Sequence, residues 1–449
     1  MNDGALASAT SDVVAKALVK TGVAVREAAA DDEVAGVRPR WVALPETTED
    51  VAALLGVCAE HDLAVVPVGG GTKLHWGRRP DRCDVLLDLC CLNEILEHAA
   101  GDLVVRVQAG VTMAALAEAL AAHGQELALD VPLDGATVGG TLATATAGPR
   151  ALRYGTARDL LIGITVVLAD GTTAKSGGKV VKNVAGYDLG KLFTGSYGTL
   201  GVITEATFRL HPVPPDRRWV SASYPGPRLE TKETGSSLYV PDPPERILVA
   251  LAASQAEPSA IEIDWPAVDG PYRVSALLEG HAAAHRALAV QDLFHEHAPA
   301  LDERAAAPRG WAVEVGEVAP EGWGRLPGDE VLVEVRAPVD RGQSVMVEVF
   351  DAARTTGLPA ASRMWLGDHL VVLIGLPDDA DPSAAAGFVA LLRGGLEDDC
   401  RVRVVTAPHE AARRMDRWGH VGALTLMRRV KERFDPGRRM SPGRYVGGI

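Results

Sequence analysis

The sequence predicts an α+β protein of more than one domain, and three observations carry that prediction. Its 449 residues are 47% apolar, enough chain and enough core for two or three domains. Through about residue 211, short apolar strands alternate with helices and run into clusters of glycine. Eight prolines between Pro212 and Pro244 then interrupt the pattern. Beyond them strands, the first expected over 247–252, interleave with helices as in an antiparallel sheet with helices on one face.

Residues 1–36 are rich in Ala and Asp, with one short helix expected over 12–20 and no catalytic signal. A strand over 40–44 is broken by Pro45, and Thr47 or Thr48 can cap the helix that follows, with Glu49 and Asp50 in its first turn. Val51, Leu54, Leu55 and Cys58 fall at i, i+3, i+4 and i+7 and make one buried stripe. The apolar strand 63–68 then runs straight into Gly69-Gly70-Gly71-Thr72. Successive glycines let consecutive N–H groups point into one concavity, which suits the two negative charges of a pyrophosphate, although the same run also serves as a plain loop. A G-x-G-x-x-G fingerprint fails because Leu74 occupies the last position, and no G-x-x-x-x-G-K-[ST] occurs anywhere.

Strands are expected over 85–89 and 103–107, then a helix over 112–123 with Thr112 as N-cap and Gly124 at C′. Val131-Pro132-Leu133 leads to Ala136-Thr137-Val138-Gly139-Gly140 and on to Thr144 through Pro149. Side chains this small admit a flat ring system and leave main-chain N–H groups free for its edge; a short buried helix is the alternative. A strand over 162–168, a turn at Asp170-Gly171 and a strand over 202–210 enclose the densest glycine stretch of the chain, GGKVVKNVAGYDLGKLFTGSYGTLG, residues 177–201. Glycine at this density persists where the backbone needs positive φ or must come very close to something. Tight turns between strands account for the glycines alone. The polar residues set among them, Lys182-Asn183 foremost, suit backbone wrapped round a large, flat, polar-edged ligand.

Composition narrows the function classes. A charge of −14, from 45 basic and 59 acidic residues, repels a nucleic-acid backbone. No run of eighteen apolar residues exists, and the start lacks a basic n-region with an apolar core, so neither a membrane span nor a signal peptide is expected. Five cysteines without a C-x-x-C pair suit a reducing cytoplasm rather than disulfides or an iron–sulfur cluster. His281, His285 and His295 share a helix without a carboxylate in H-E-x-x-H fashion, and no metal site is expected.

The segments KNVAGYDL, GSYGTLG and AGPRALRYGTARD, with the closing KERFDPG and SPGR, resemble flavoproteins of the vanillyl-alcohol oxidase type. Within that family the similarity is strongest to the FAD-binding (E) subunit of glycolate oxidase, a three-part complex. The resemblance covers residues 41–211 and the last fifteen. It implies a two-subdomain PCMH-type FAD-binding domain over 37–215, an α+β antiparallel-sheet cap over 216–405 with its linker, and a segment over 406–449 returning to the FAD domain.

The resemblance also implies which residues hold non-covalent FAD. Pro67, Gly69, Gly70, Gly71, Thr72 and Lys73 match the family's pyrophosphate loop, and Thr72 stands where some relatives carry a histidine bonded to the flavin. Pro132, Thr137, Val138, Gly139, Gly140, Thr144, Gly148, Tyr154 and Gly155 match its second flavin-binding stretch. Lys182 and Asn183 belong to the central stretch, and Gly201, Val202 and Ile203 lie at the adenosine end.

The function implied is hydride transfer from a 2-hydroxy acid of the glycolate or D-lactate kind. The alternatives are a flavin-bearing subunit that needs its complex and, behind both, an aldonolactone or sugar-alcohol oxidase. The chain is expected in the cytoplasm, peripheral to a membrane only through partner subunits. Tyr197 stands where many dehydrogenase relatives carry Glu, and the second half lacks the family's G-D-G-N-x-H type segment. Arg363, His369 and His409 are what remains as catalytic candidates. Arg438, Arg439 and Arg444 read as a solvated basic face or as a clamp for a substrate carboxylate.

Overall fold

The parallel strands Trp41–Leu44, Val65–Val68 and Val85–Asp88 form the core of a four-stranded sheet, with Ala24–Glu27 antiparallel at its edge. The helix Thr48–Glu60 makes the crossover between the first two and buries Val51, Leu54, Leu55 and Cys58. Its N-cap is Thr47, whose side chain accepts from the Asp50 amide while Asp50 answers with a capping box. A computed structural model of the chain describes residues 13–178, 188–232, 235–239, 244–298, 311–328 and 330–449.

Contacts divide the chain into two compact units: Met1–Thr146 with Thr156–Val213 and His420–Ile449, and Ala147–Gly155 with Pro214–Gly419. Residues 147–155 and 406–419 therefore group with the second unit, where the sequence reading places them in the FAD domain and the closing segment.

The first unit holds a second, antiparallel sheet in the order Ile95–Ala99, Val104–Gln108, Val202–Arg209, Leu161–Val167, Thr173–Gly177. Its closing segment adds to the first sheet: the Val65 amide donates to Arg439 O at 2.8 Å, and the Ser441 amide donates to Val65 O at 2.8 Å. Lys431, on the helix Leu424–Phe434, is buried and donates to Thr199 O, Met440 O and the Asp435 carboxylate at 2.7–2.8 Å. Phe434 meets Phe193 edge-on at 5.8 Å.

The second unit carries an eight-stranded antiparallel sheet in the order Val313–Gly316, Arg217–Tyr224, Tyr272–Glu279, Ala260–Trp265, Ala361–Leu366, Leu370–Leu376, Val331–Ala337, Arg401–Thr406. The helices Pro244–Ala252, Ala283–Glu296, Gly342–Thr356 and Pro382–Gly395 bury their apolar stripes with one alternate set of its residues. The other set holds the sheet's buried polar residues, Ser221, Glu262, Ser275, Glu279, Glu334 and Arg363, beside the apolar Leu277, Leu332, Trp365, Val371 and Leu373; the two-residue period of a strand separates the two sets.

Two expectations are corrected here. Residues 247–252 form part of a helix rather than a strand; Ile247, Leu248 and Leu251 fall on one buried stripe, a spacing an apolar run of six leaves ambiguous. The proline-rich segment is not free of regular structure, because its prolines cluster at 212–215, 225–227 and 241–244. The windows between them form the strands Arg217–Tyr224, Arg228–Lys232 and Gly235–Tyr239.

Glu334, on that second set, is 6% exposed and pairs at 2.8 Å with both Arg336 and Arg403. Burial pushes its carboxyl up, but the two guanidinium charges outweigh that and hold it at about 2. A folded-state value below the unfolded one stabilises the fold above about pH 4.5 and is lost as pH falls toward 2. Urea titrations of Glu334→Gln at a series of pH values are therefore expected to show a shallower loss of stability between pH 5 and 3 than wild type. An acid limb of unchanged slope would assign the pairing no role.

Candidate functional site

Gly69 to Thr72 leave the carboxyl end of the parallel strand Val65–Val68, the end at which open parallel sheets bind ligands. Gly71 has φ +71°, which turns the loop over. Among the described residues, no acceptor takes the amides of Gly69, Gly70, Gly71 or Thr72, so four consecutive donors remain for a ligand.

The facing wall is the helix Val138–Thr144, capped by Thr137. The stretch is a short buried helix, and its Gly139, Gly140, Ala143 and Thr144 line the cleft. The expected free amides are absent from it, however. Gly139 donates to Ala109 O at 2.8 Å and Gly140 to Thr137 Oγ1 at 3.3 Å, so this stretch supplies a smooth wall rather than donors.

The third side is Tyr197-Gly198, with Tyr197 at φ +55° and Gly198 at φ +71°. A Cβ on Gly198 would lie 3.2 Å from both Pro67 Cγ and Ser441 Oγ, which shows how closely three distant segments converge here. Gly201, Ile203 and Arg444 complete a cleft with about 790 Å³ of space free of protein atoms, part of it open to solvent.

Two buried cations face this cleft. Lys73 is 7% exposed, and burial pulls its ammonium down to about 8. Arg444 is 4% exposed, and burial pulls it down to about 10. Its Nη2 donates to Leu74 O at 2.8 Å and Trp76 O at 2.7 Å, while its Nη1 is buried without a protein acceptor.

Of the expected cofactor residues, Pro67, Gly69, Gly70, Gly71, Thr72, Lys73, Thr137, Gly139, Gly140, Thr144, Gly201 and Ile203 come together in the cleft. Val138 and Val202 do not; both are fully buried in the apolar core. Val202 follows Gly201 on a strand, so its side chain points to the opposite face from Ile203. Pro132 lies outside the lining. Gly148, Tyr154 and Gly155 belong to the second unit, where the Tyr154 hydroxyl donates to Glu279 Oε2 at 2.8 Å. Lys182 and Asn183 lie outside the described residues.

Arg444 was missed. The Ser-Pro-Gly-Arg sequence gives it no more prominence than its neighbours, and only packing separates it from the 68%-exposed Arg438. Arg439 also departs from a solvated face, being largely buried near Asp62.

The catalytic candidates sit in the second unit. Arg363 lies between Asp264, at 3.2 Å, and Glu262, at 3.8 Å. His369 is exposed on the turn between two strands and pairs with Asp368 at 3.3 Å. His409 opens the four-residue helix His409–Ala412.

Residues 39–177 match the family model described as an FAD binding domain. This stretch is an FAD-binding domain. Among curated proteins, the chain is 39% identical over 191 residues to the glycolate oxidase subunit GlcD of Bacillus subtilis, covering 41% of this chain and 40% of that protein. It is 40% identical over 180 residues to the mitochondrial D-lactate dehydrogenase [cytochrome] 1 of Saccharomyces cerevisiae, covering 39% and 30%. It is 40% identical over 184 residues to the D-lactate dehydrogenase of Archaeoglobus fulgidus, covering 41% of each. The matched region spans less than half the length of each of these relatives.

Among solved structures, p-cresol methylhydroxylase with substrate bound superposes with a TM-score of 0.67 at 17% identity, over 92% of this chain and 90% of that one. A chitooligosaccharide oxidase gives 0.65 at 16%, over 95% and 97%. The PCMH-type fold expected from the resemblance is therefore the fold observed. The cleft fits FAD on the donor set of its own residues: a loop of open amides, two buried cations and a wall of Gly, Ala and Thr.

Proposed function

We propose that this protein is an FAD-dependent oxidoreductase acting on a 2-hydroxy acid of the glycolate or D-lactate class. The observation that carries the reading is one region with two properties. It builds the amide-lined, cationic cleft, and it lies in a chain whose named relatives are a glycolate oxidase subunit and D-lactate dehydrogenases. Bound FAD supplies the hydride acceptor, its N5. The residues of this chain have the task of holding it: the 69–72 amides with Lys73 and Arg444 at its anionic part, and residues 139–144 with Ile203 along the wall.

The second reading, a flavin-bearing subunit that turns over only within a glycolate oxidase-like complex, is favoured by Arg363. A carboxylate clamp needs a cation with charge to spare, and Arg363 already faces two carboxylates. On either reading we place the protein in the cytoplasm, at a membrane only through its partners; no helix among the described residues is long and apolar enough to cross one.

Anaerobic mixing of the holoprotein with glycolate and with D-lactate is the deciding experiment. Bleaching of the oxidised flavin band by either acid is the expected result for the lone enzyme. Bleaching only after partner subunits are added moves the protein to the second reading. Flavin unmoved by both acids, with and without partners, overturns the 2-hydroxy-acid assignment and leaves an aldonolactone or sugar-alcohol substrate to be tried.

A further inference from the structure

A buried guanidinium is tolerated where something anionic faces it. Around Arg444, among the described residues, nothing anionic does: it forms no ion pair, and its two acceptors are the neutral carbonyls of Leu74 and Trp76. Lys73 is in the same position, buried and without an ion pair among the described residues. Both side chains line one cleft, together with the Gly69–Gly71 amides. Buried carboxylates elsewhere in the chain are matched, as Asp435 is by Lys431 and Glu334 by Arg336 and Arg403. The cleft thus carries two unit charges that the described residues leave unbalanced, and a dinucleotide pyrophosphate carries two of the opposite sign.

We propose that Arg444, delivered by the closing segment, and Lys73, from the glycine loop, together neutralise the pyrophosphate of FAD. The C-terminal tail is then part of the cofactor site rather than only a strap across the first sheet. Its placement explains how. Arg439, Met440 and Ser441 run beside Val65, the strand that leads into the glycine loop, and Arg444 reaches back to the loop's far end at Leu74 and Trp76. The buried Lys431–Asp435 pair fixes the register of that tail through the Arg439 and Met440 amides, both of which donate to Asp435. The inference rests on the reading of the cleft as an FAD site.

The test measures binding to apoprotein of three probes: FAD, ADP, which keeps the pyrophosphate without the ring, and riboflavin, which keeps the ring without the phosphates. Wild type, Arg444→Met, Arg444→Lys and Lys73→Met are compared by titration calorimetry, with circular dichroism to confirm folding. Each Met variant is expected to weaken FAD and ADP by roughly ten- to a hundredfold, the range for one charge-assisted contact, and to leave riboflavin unchanged. Arg444→Lys should recover part of the loss.

Equal affinities for FAD in wild type and in folded Met variants overturn the proposal. So does a loss shared by FAD and riboflavin but not ADP, which would assign the cations to the ring. Should Arg444→Met fail to fold, Lys73→Met decides by the same criteria, because Lys73 holds no carbonyl of the loop. Wild type that binds none of the three sinks the FAD reading itself, an outcome distinct from all of these.

Discussion

Gly70→Val is expected to yield protein that retains no flavin. A Cβ at this position would run into the carbonyl oxygen of Gly135 and lie 3.1 Å from its carbonyl carbon, and backbone cannot step aside as a side chain can. Gly135 belongs to the turn that delivers Thr137, the cap of the facing wall, so the substitution forces apart the two sides of the cleft. Overpacking of this kind costs about 1–3 kcal/mol by itself. Flavin held at a thousand times its dissociation constant contributes a further ~4 kcal/mol, lost when the cofactor leaves. Absorbance of the purified protein and a thermal melt with and without added FAD measure both parts.

Gly139→Val should behave alike, since its Cβ would meet the Ala109 Cβ at 2.8 Å, whereas Gly140→Ala meets only the Thr137 hydroxyl at 3.2 Å and should be milder. Gly56→Ala is the control of opposite sign. It sits inside the helix Thr48–Glu60 with nothing within 4 Å of the added carbon, and is expected to stabilise by about 0.5–1 kcal/mol. Yellow, normally stable Gly70→Val would mean that the loop has room the geometry denies.

Asp435→Ala is expected to cost about 3–5 kcal/mol of unfolding free energy, the range for removing one member of a buried pair. The carboxylate is fully buried and takes three donors: Lys431 Nζ, Arg439 N and Met440 N. Its removal strands all three, and leaves the Lys431 charge facing two neutral carbonyls. Replacing both partners, Lys431→Met with Asp435→Ala, should cost less than the single Asp435 change, because no charge is then left alone. Urea denaturation of the single and double variants gives the comparison. A double variant worse than the single one would mean that the pair contributes more than charge compensation.

How much of this was legible in the linear chain differs from place to place. The stripe of Val51, Leu54, Leu55 and Cys58 was readable because helical spacing and burial are the same fact stated twice. The glycine loop was readable only in part, because a strand ending in three glycines suits an anion nest and a plain loop alike. Its physical reason was only half seen: Gly70 is needed for the approach of Gly135, while the open amides of 69–72 are what a ligand would meet. Val138 and Val202 were placed in the site by their neighbours in sequence, yet alternation on a strand and the turn of a helix point them into the core. The run of residues 247–252 was misread because six apolar-rich residues fit strand and helix equally well.

By itself, then, the sequence determined the local grammar of this protein: where strands yield to glycine, which helix faces are apolar, and which loop can aim successive amides one way. Those features depend on residues a few positions apart, and short-range sterics settle them. Only tertiary structure decided that Arg444 lies buried against Leu74, some 370 residues away in sequence, that residues 147–155 pack with the second unit, and that Arg363 is neutralised by two carboxylates. Burial and charge balance are properties of what surrounds a side chain, and those surroundings are assembled from strands far apart in the chain.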